Sequence, residues 1–292
     1  MILTGIADEA GDLLKTQIEA TKALGWENIE ARNVQIEGFE KSNLHDISEE
    51  AFDKAAELLE ASGVKIYAFG STIANWGKKI DEPFDTSEVE RAIPRMKRLG
   101  TKFVRIMSYA IRDDEDQMAD ERIKRVSEIT KRFLDEGLQP VHENCMNYGG
   151  MSYHNTLELL EKVPGLKLVF DTANPVFNPD YSKPEPRPRQ DPWEFWRNVR
   201  EHVVHIHIKD CIWNHDKNDA TYTFPGEGQA KVKEILTDAF QRGYDAGISI
   251  EPHMAVVFHD ASVTADPKAQ FDNYVQYGQK MMALINDIKS AL

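Results

Sequence analysis

The segment Val203-Val204-His205-Ile206-His207-Ile208-Lys209-Asp210 alternates polar and apolar side chains. On an extended chain His205, His207 and Lys209 share one face, and Val204, Ile206 and Ile208 the other. If the apolar face packs under helices, two imidazoles and an ammonium point into whatever the strand encloses. Such groups are costly to bury alone, and a metal ion with anionic co-ligands would satisfy them. A wet edge strand is the plain alternative for an isolated His-x-His. Three further apolar runs end in carboxylates, at Glu143, Asp171 and Glu251, and tip the balance toward a site. Three carboxylates brought together repel one another without a cation. Mixed oxygen and nitrogen donors with open positions suit one divalent ion: Mn2+, Mg2+, Co2+ or Zn2+.

These residues need elements that carry them to one place. Hydrophobic patterning predicts eight short strands, over residues 2–7, 28–32, 64–69, 103–107, 139–143, 166–171, 203–210 and 247–251. Helical patterns lie between them, several stopping at a glycine: Gly25, Gly63, Gly100, Gly137 and Gly243. Ser48 is placed to cap the helix bearing Phe52, Ala55, Ala56 and Leu59. Asp191-Pro192 forms an N-cap and first-turn pair for a helix carrying Trp196 and Val199. A long helix over 268–292 closes the chain. Strands alternating with helices imply parallel βαβ units. Eight such units in 292 residues predict a single α/β domain over residues 1–292, a closed (β/α)8 TIM barrel. An open doubly wound sheet is the competitor, but no G-x-G-x-x-G follows the first strand.

In such a barrel the active site sits at the C-terminal ends of the strands. Strand four offers Arg105 and strand five Glu143-Asn144. Strand six offers Asp171 with Asn174 beyond it, strand seven the two histidines and Lys209, and strand eight Glu251 with His253 two residues on. The chain resembles the xylose isomerase-like TIM barrels, the sugar phosphate isomerase/epimerase superfamily. The matching pieces are Glu143-Asn144, Phe170-Asp171-Thr172-Ala173-Asn174, His205-Ile206-His207-Ile208-Lys209-Asp210, Pro225-Gly226-Glu227-Gly228 and Ile250-Glu251. Their order along the chain carries the resemblance. It implies metal ligation by Glu143, Asp171, His207 and Glu251, because the family's ligand is usually the second histidine of the pair. His205 then becomes a substrate or supporting group. Many relatives place histidine where Asn174 stands, which separates this chain from the tagatose 3-epimerase branch.

The chemistry implied is proton transfer beside a carbonyl, with Glu143 and Glu251 flanking a ketose or related keto-sugar. Return of the proton to the same carbon epimerises, and return to the other isomerises. Lys209 is a candidate to polarise an oxygen, or to act as a base if burial depresses its pKa. Its plain alternative is an ion pair with Asp171 or Asp210. Arg105, Asn174, His205, His253 and the loop aromatic Trp76 are candidate substrate contacts. Lys183, Arg187 and Arg189, in the proline-rich segment 178–192, are candidates to hold a substrate phosphate or carboxylate.

Rival readings share the scaffold: a metal-dependent dehydratase or lyase like the inosose dehydratases, an AP endonuclease IV-like repair enzyme, or a sugar-binding barrel without activity. The net charge of -14 argues against a nucleic-acid partner. Two cysteines without a C-x-x-C pair fit a reducing compartment. The first ten residues lack a signal-peptide pattern and no apolar run reaches membrane-spanning length, so a cytoplasmic enzyme with no membrane partner is expected. A small sugar is the expected partner, with a homo-oligomer left open.

Overall fold

The structure, a computed structural model, describes residues 1–114, 116–255 and 266–292. Eight parallel strands form the sheet: β1 (Ile2–Gly5), β2 (Asn28–Ala31), β3 (Lys65–Gly70), β4 (Phe103–Ile106), β5 (Gln139–Glu143), β6 (Lys167–Asp171), β7 (Val203–Ile208) and β8 (Gly247–Ile250). Neighbours in the chain are neighbours in the sheet, and β1 pairs with β8. A single bridge between Ile6 and Glu30 brings β1 back to β2, so the barrel is nearly closed there. The expected (β/α)8 barrel is therefore what the chain forms, with an irregular seam at β1/β2.

Outside the strands lie α1 (Leu14–Ala23), α2 (Glu49–Ser62), α3 (Ser87–Leu99), α4 (Ala119–Asp135), α5 (Tyr153–Lys162), α6 (Pro192–Val199), α7 (Val232–Gln241) and α8 (Pro267–Ser290). Their ends follow local chemistry. Ser48 Oγ accepts the Ala51 N–H at 3.2 Å and starts α2, and Gly63 ends it at φ 72°, a left-handed conformation that costs glycine little. Asp191 Oδ1 accepts the Glu194 N–H at 2.8 Å, with Pro192 beginning α6. Ser152 Oγ accepts the Asn155 N–H and starts α5.

The alternation on β7 resolves as a core face and a barrel face. Ile206 and Ile208 are fully buried in the hydrophobic core, and so are His205 and His207. On β6, Phe170 packs against Phe195 and Trp196 of α6, with ring centroids 5.7 and 5.3 Å apart. Residues on either side of it, Val169 and Asp171, therefore point into the barrel. Register then sets heights: Asp171 and Ser249 are level with His207, Glu143 is level with Val169, and Glu251 follows two residues beyond Ser249.

Two features depart from the expected pattern. Beyond β7 the chain does not run straight into a loop; Asp210–Asn214 and Asp219–Thr223 pair as an antiparallel hairpin. Just before the proline-rich segment, Asn174–Phe177 makes one helical turn. Among the described residues no helix is long and apolar enough to cross a membrane.

Candidate active site

Strands β5 to β8 each bring one carboxylate or imidazole to the same mouth. Glu143, Asp171, His207 and Glu251 each offer one donor atom, and these four atoms lie within 4.8 Å of one another. All four side chains are buried. Glu143 is clamped: Arg105 Nη1 donates to Oε2 at 3.0 Å and Asn174 Nδ2 to Oε1 at 3.1 Å. Asp171 Oδ1 accepts the N–H groups of Ala173 (2.9 Å) and Asn174 (2.7 Å). Asn144 braces β5 against β6 by accepting the Asp171 N–H at 2.7 Å and donating to the Asp171 carbonyl at 3.0 Å. Glu251 Oε1 accepts from Arg32 Nη1 at 3.0 Å, and Oε2 from Lys209 Nζ at 2.9 Å.

The two histidines differ in what they have left to offer. Both ring nitrogens of His205 are taken: Nδ1 lies 3.0 Å from the Gly247 carbonyl and Nε2 2.7 Å from Glu30 Oε2. His207 Nε2 faces both oxygens of Glu30 at 3.0 Å. Its Nδ1 has no hydrogen-bond partner among the described residues, and stands 3.8 Å from Glu143 Oε1. A carboxylate behind one nitrogen fixes the ring and leaves the other to coordinate. Asp171 Oδ2 is also buried without a hydrogen bond, although Lys209 Nζ is 3.0 Å away as an ion-pair partner. Buried polar atoms without hydrogen bonds are uncommon enough to need a cause. Here two of them, on a histidine and an aspartate, face one point among carboxylates. That donor set fits a divalent cation with nitrogen and oxygen ligands.

The charges follow the same logic. Burial alone would raise Glu143, but Arg105 and His207 hold it down to about 2. Burial would lower His207, but Glu30 and Glu143 raise it to about 10. Asp171 is pushed up to about 7, chiefly by burial and then by Glu251 and Glu143, against the pull of Lys209. Lys209 goes the opposite way from the expectation of a depressed base. Burial lowers its pKa, yet Asp171 and Glu251 outweigh that and hold it well above the ordinary lysine value. It is an ammonium bridging two carboxylates. Asp210, its other candidate partner, instead accepts the N–H groups of Cys211, Gly226, Gly228 and Ala230.

A cavity of about 220 Å3 opens over these groups, lined among others by Arg32, Trp76, Arg105, Asn174, Lys209 and His253. Trp76 stands at its rim, 48% exposed. Arg105 and Asn174 reach the cavity but spend hydrogen bonds on Glu143. His205 is not among the residues lining it. His253 belongs to a second cluster: Glu9 Oε1 lies 2.7 Å from its Nδ1, and Glu9 Oε2 accepts its backbone N–H at 2.7 Å. These bonds hold His253 at φ 52°, an uncommon backbone for a residue with a Cβ. Two of the three expected anion holders of the proline-rich segment spend hydrogen bonds within the protein, and Lys183 is exposed. Arg187 pairs with Glu185, and Arg189 donates to the Phe177 carbonyl at 2.6 Å and to Asn218 Oδ1 at 3.0 Å.

Sequence reasoning passed over Asp8, Glu9, Glu30 and Arg32. Glu30 and Arg32 alternate with Ile29 and Ala31 on the second strand, as the histidines do on the seventh, and that pattern was the available signal. Arg32 Nε and Nη2 donate to Asp8 at 2.9 and 3.0 Å.

A family model described as xylose isomerase-like TIM barrel matches residues 18–272. Solved structures of the same fold cover nearly all of the chain. A xylose isomerase-like TIM barrel protein from Mycobacterium smegmatis in complex with magnesium is 14% identical over 97% of both chains, with a TM-score of 0.69. A D-psicose 3-epimerase from Clostridium cellulolyticum with D-tagatose is 15% identical, TM-score 0.64, over 98% of this chain and 99% of its own. A protein named as the probable 3-DHS dehydratase AsbF from Bacillus anthracis is 17% identical, TM-score 0.67, over 97% and 99%. No curated protein matches the sequence significantly. At these identities the solved structures speak for the fold.

Proposed function

We propose that this chain, which belongs to the xylose isomerase-like TIM-barrel family, is a divalent-metal-dependent sugar isomerase or epimerase. Its substrate is a ketose or related keto-sugar. The observation that carries the reading is the convergence of Glu143, Asp171, His207 and Glu251, with His207 Nδ1 and Asp171 Oδ2 buried and without hydrogen bonds. These four residues hold the ion. When bound, Mn2+, Mg2+, Co2+ or Zn2+ supplies Lewis acidity to a substrate carbonyl and its neighbouring hydroxyl.

The chain's own residues do the rest. Glu143 and Glu251 enter from β5 and β8, on either side of Asp171 and His207, and both are held ionised by adjacent cations. Either is suited to take the proton beside the carbonyl, leaving an enediolate, and one of them returns a proton. Arg105 and Asn174 orient Glu143, and Arg32 and Lys209 orient Glu251. Lys209 stays protonated and donates to oxygens. Trp76 and His253 contact the sugar from the rim. The enzyme works on a small molecule without a nucleic-acid partner, a reading supported by its net charge of -14.

The likeness to a dehydratase supports a second reading, in which the enediolate expels a neighbouring substituent. Both readings begin with the same proton removal. Elemental analysis before and after chelation and Mn2+ add-back is the first test, with one divalent ion per chain expected. No tight ion after add-back would end both readings. Solvent deuterium uptake into ketoses, with the products identified, then separates a stereochemical change from loss of water or of a larger group.

A further inference from the structure

Beside the sugar-sized cavity lies a second one, of about 460 Å3, within the range of small-molecule sites. Met146, Phe177 and Tyr222 line both, so the two are contiguous. The additional walls include Ile111, Tyr181 and Trp213. Tyr181 comes from the segment after β6 and Trp213 from the hairpin after β7, the two parts of the fold that departed from the expected pattern, and Ile111 comes from the loop after β4. Arg189 ties them together. Its guanidinium lies 3.9 Å from the Trp213 ring centroid while it donates to the Phe177 carbonyl and to Asn218. Two of its nitrogens thus donate within the protein, and Lys183 does not line the cavity. Most of the wall is aromatic or apolar, with Asn178, Arg189, Asn218 and Asp219 as its polar members.

One polar group does not fit a purely packing role. Asn178 lines this cavity, is 5% exposed, and its Nδ2 has no hydrogen-bond partner among the described residues. An unpaired buried amide donor is costly, and an acceptor oxygen on a ligand would satisfy it.

We propose that the keto-sugar carries an aromatic substituent, and that this second cavity holds it. The substrate class is then an aryl glycoside whose sugar ring carries a ketone away from the anomeric carbon, its sugar at Glu143, Asp171, His207 and Glu251. Its aromatic ring lies among Phe177, Trp213 and Tyr222, and an oxygen on the ring accepts from Asn178. This inference rests on the reading of the four-residue centre as the sugar site.

The test is calorimetric titration of the metal-loaded full chain with 4-nitrophenyl β-D-glucopyranoside, methyl β-D-glucopyranoside, cellobiose and free 4-nitrophenol. The aryl glucoside should bind about ten-fold or more tightly than the methyl glucoside. Trp213→Ala should remove that preference, and Ala220→Trp, which fills the cavity from the hairpin, should do so with Trp213 intact. Equal affinity of the aryl and methyl glucosides overturns the inference. So does cellobiose binding better than the aryl glucoside, which would assign the cavity to a second sugar. Binding of neither 4-nitrophenol nor its glucoside overturns it as well. Ion content measured on the same samples reports on the centre separately. One ion per chain with no aryl preference removes the aromatic subsite and keeps the centre. A Trp213-dependent aryl preference without a bound ion removes the metal reading and keeps the subsite.

Discussion

Two carboxylate–histidine clusters meet at the mouth of this barrel, and they are built to opposite ends. In one, Glu30 grips His205 and His207 and leaves His207 Nδ1 facing Glu143. In the other, Glu9 grips His253, whose Nε2 lies 3.8 Å from Glu251. Both groups satisfy the distance criterion for a cation site. The difference is Arg32. Its guanidinium reaches Asp8, Glu9 and Glu251, so the second cluster already contains its cation. On the other side Arg105 pairs with Glu143 at 3.0 Å, but among the described residues no arginine pairs with Glu30. Lys209 neutralises the Asp171 and Glu251 edge only. Residue types alone would rank the two clusters alike, and their counter-charges separate them.

The largest effect that would sharpen this contrast is on turnover. Glu143→Gln should lower kcat by ~10²–10⁴, the range for loss of a general base. Glu9→Gln should leave most of the rate, and equal losses in a steady-state assay would erase the distinction. Arg32→Met attacks the other side. Removing one partner of a buried ion-pair network costs roughly 3–5 kcal/mol, read as a lower urea midpoint. Unchanged stability would mean that Arg32 does not neutralise the second cluster.

Another buried histidine shows what burial does without a carboxylate as hydrogen-bond partner. His142 contacts Ser108 Oγ and Asn147 Oδ1, each at 3.0 Å, and burial lowers its pKa to about 4, whereas His207 rises to about 10. Between pH 4 and 6.5 the unfolded chain binds a proton at His142 and the folded chain does not, so stability falls as pH drops through that window. The loss from pH 7 to pH 5 should be roughly 2 kcal/mol. His207 has the opposite sign: its raised pKa stabilises the ion-free fold below the unfolded value, and this is lost as pH rises toward about 10. Urea titrations at both pH values should show a flatter pH dependence in His142→Gln; an unaltered slope would assign the acid sensitivity elsewhere.

The smallest expected change concerns Glu30. Glu30→Gln keeps the shape but loses the charge behind His207, and metal affinity should fall about 10–100-fold. Competition with a chelator measures it, and wild-type affinity in that variant would detach Glu30 from the centre.

Much of this architecture was legible in the linear sequence. Glycines after helices, Ser48 and Asp191-Pro192 at helix starts, and the period-two alternation of 203–210 are local signals, and local backbone chemistry reads them out. The convergence of Glu143, Asp171, His207 and Glu251 was legible one level higher, because in a parallel barrel consecutive strand ends share a mouth. The hairpin after β7 was hidden: its strands are five residues each, only Asp210 and Cys211 are fully buried, and the half-buried side mixes Trp213, Ala220 and Tyr222 with polar neighbours, so no clean apolar alternation marks it.

The sequence by itself determined the element order, the barrel and which strand ends carry ionisable groups, since each follows from periodicity and turn residues within short windows. Only the tertiary structure decided the electrostatics. Glu30 meets His205 across 175 positions of chain, and Arg32 meets Glu251 across 219. Barrel closure at the β1/β2 seam, together with a register shift between Ile29 and Glu30 in the pairing of β2 with β3, brings them together. Coulomb interactions between buried groups depend on distances of a few ångströms, and sequence separation does not encode those.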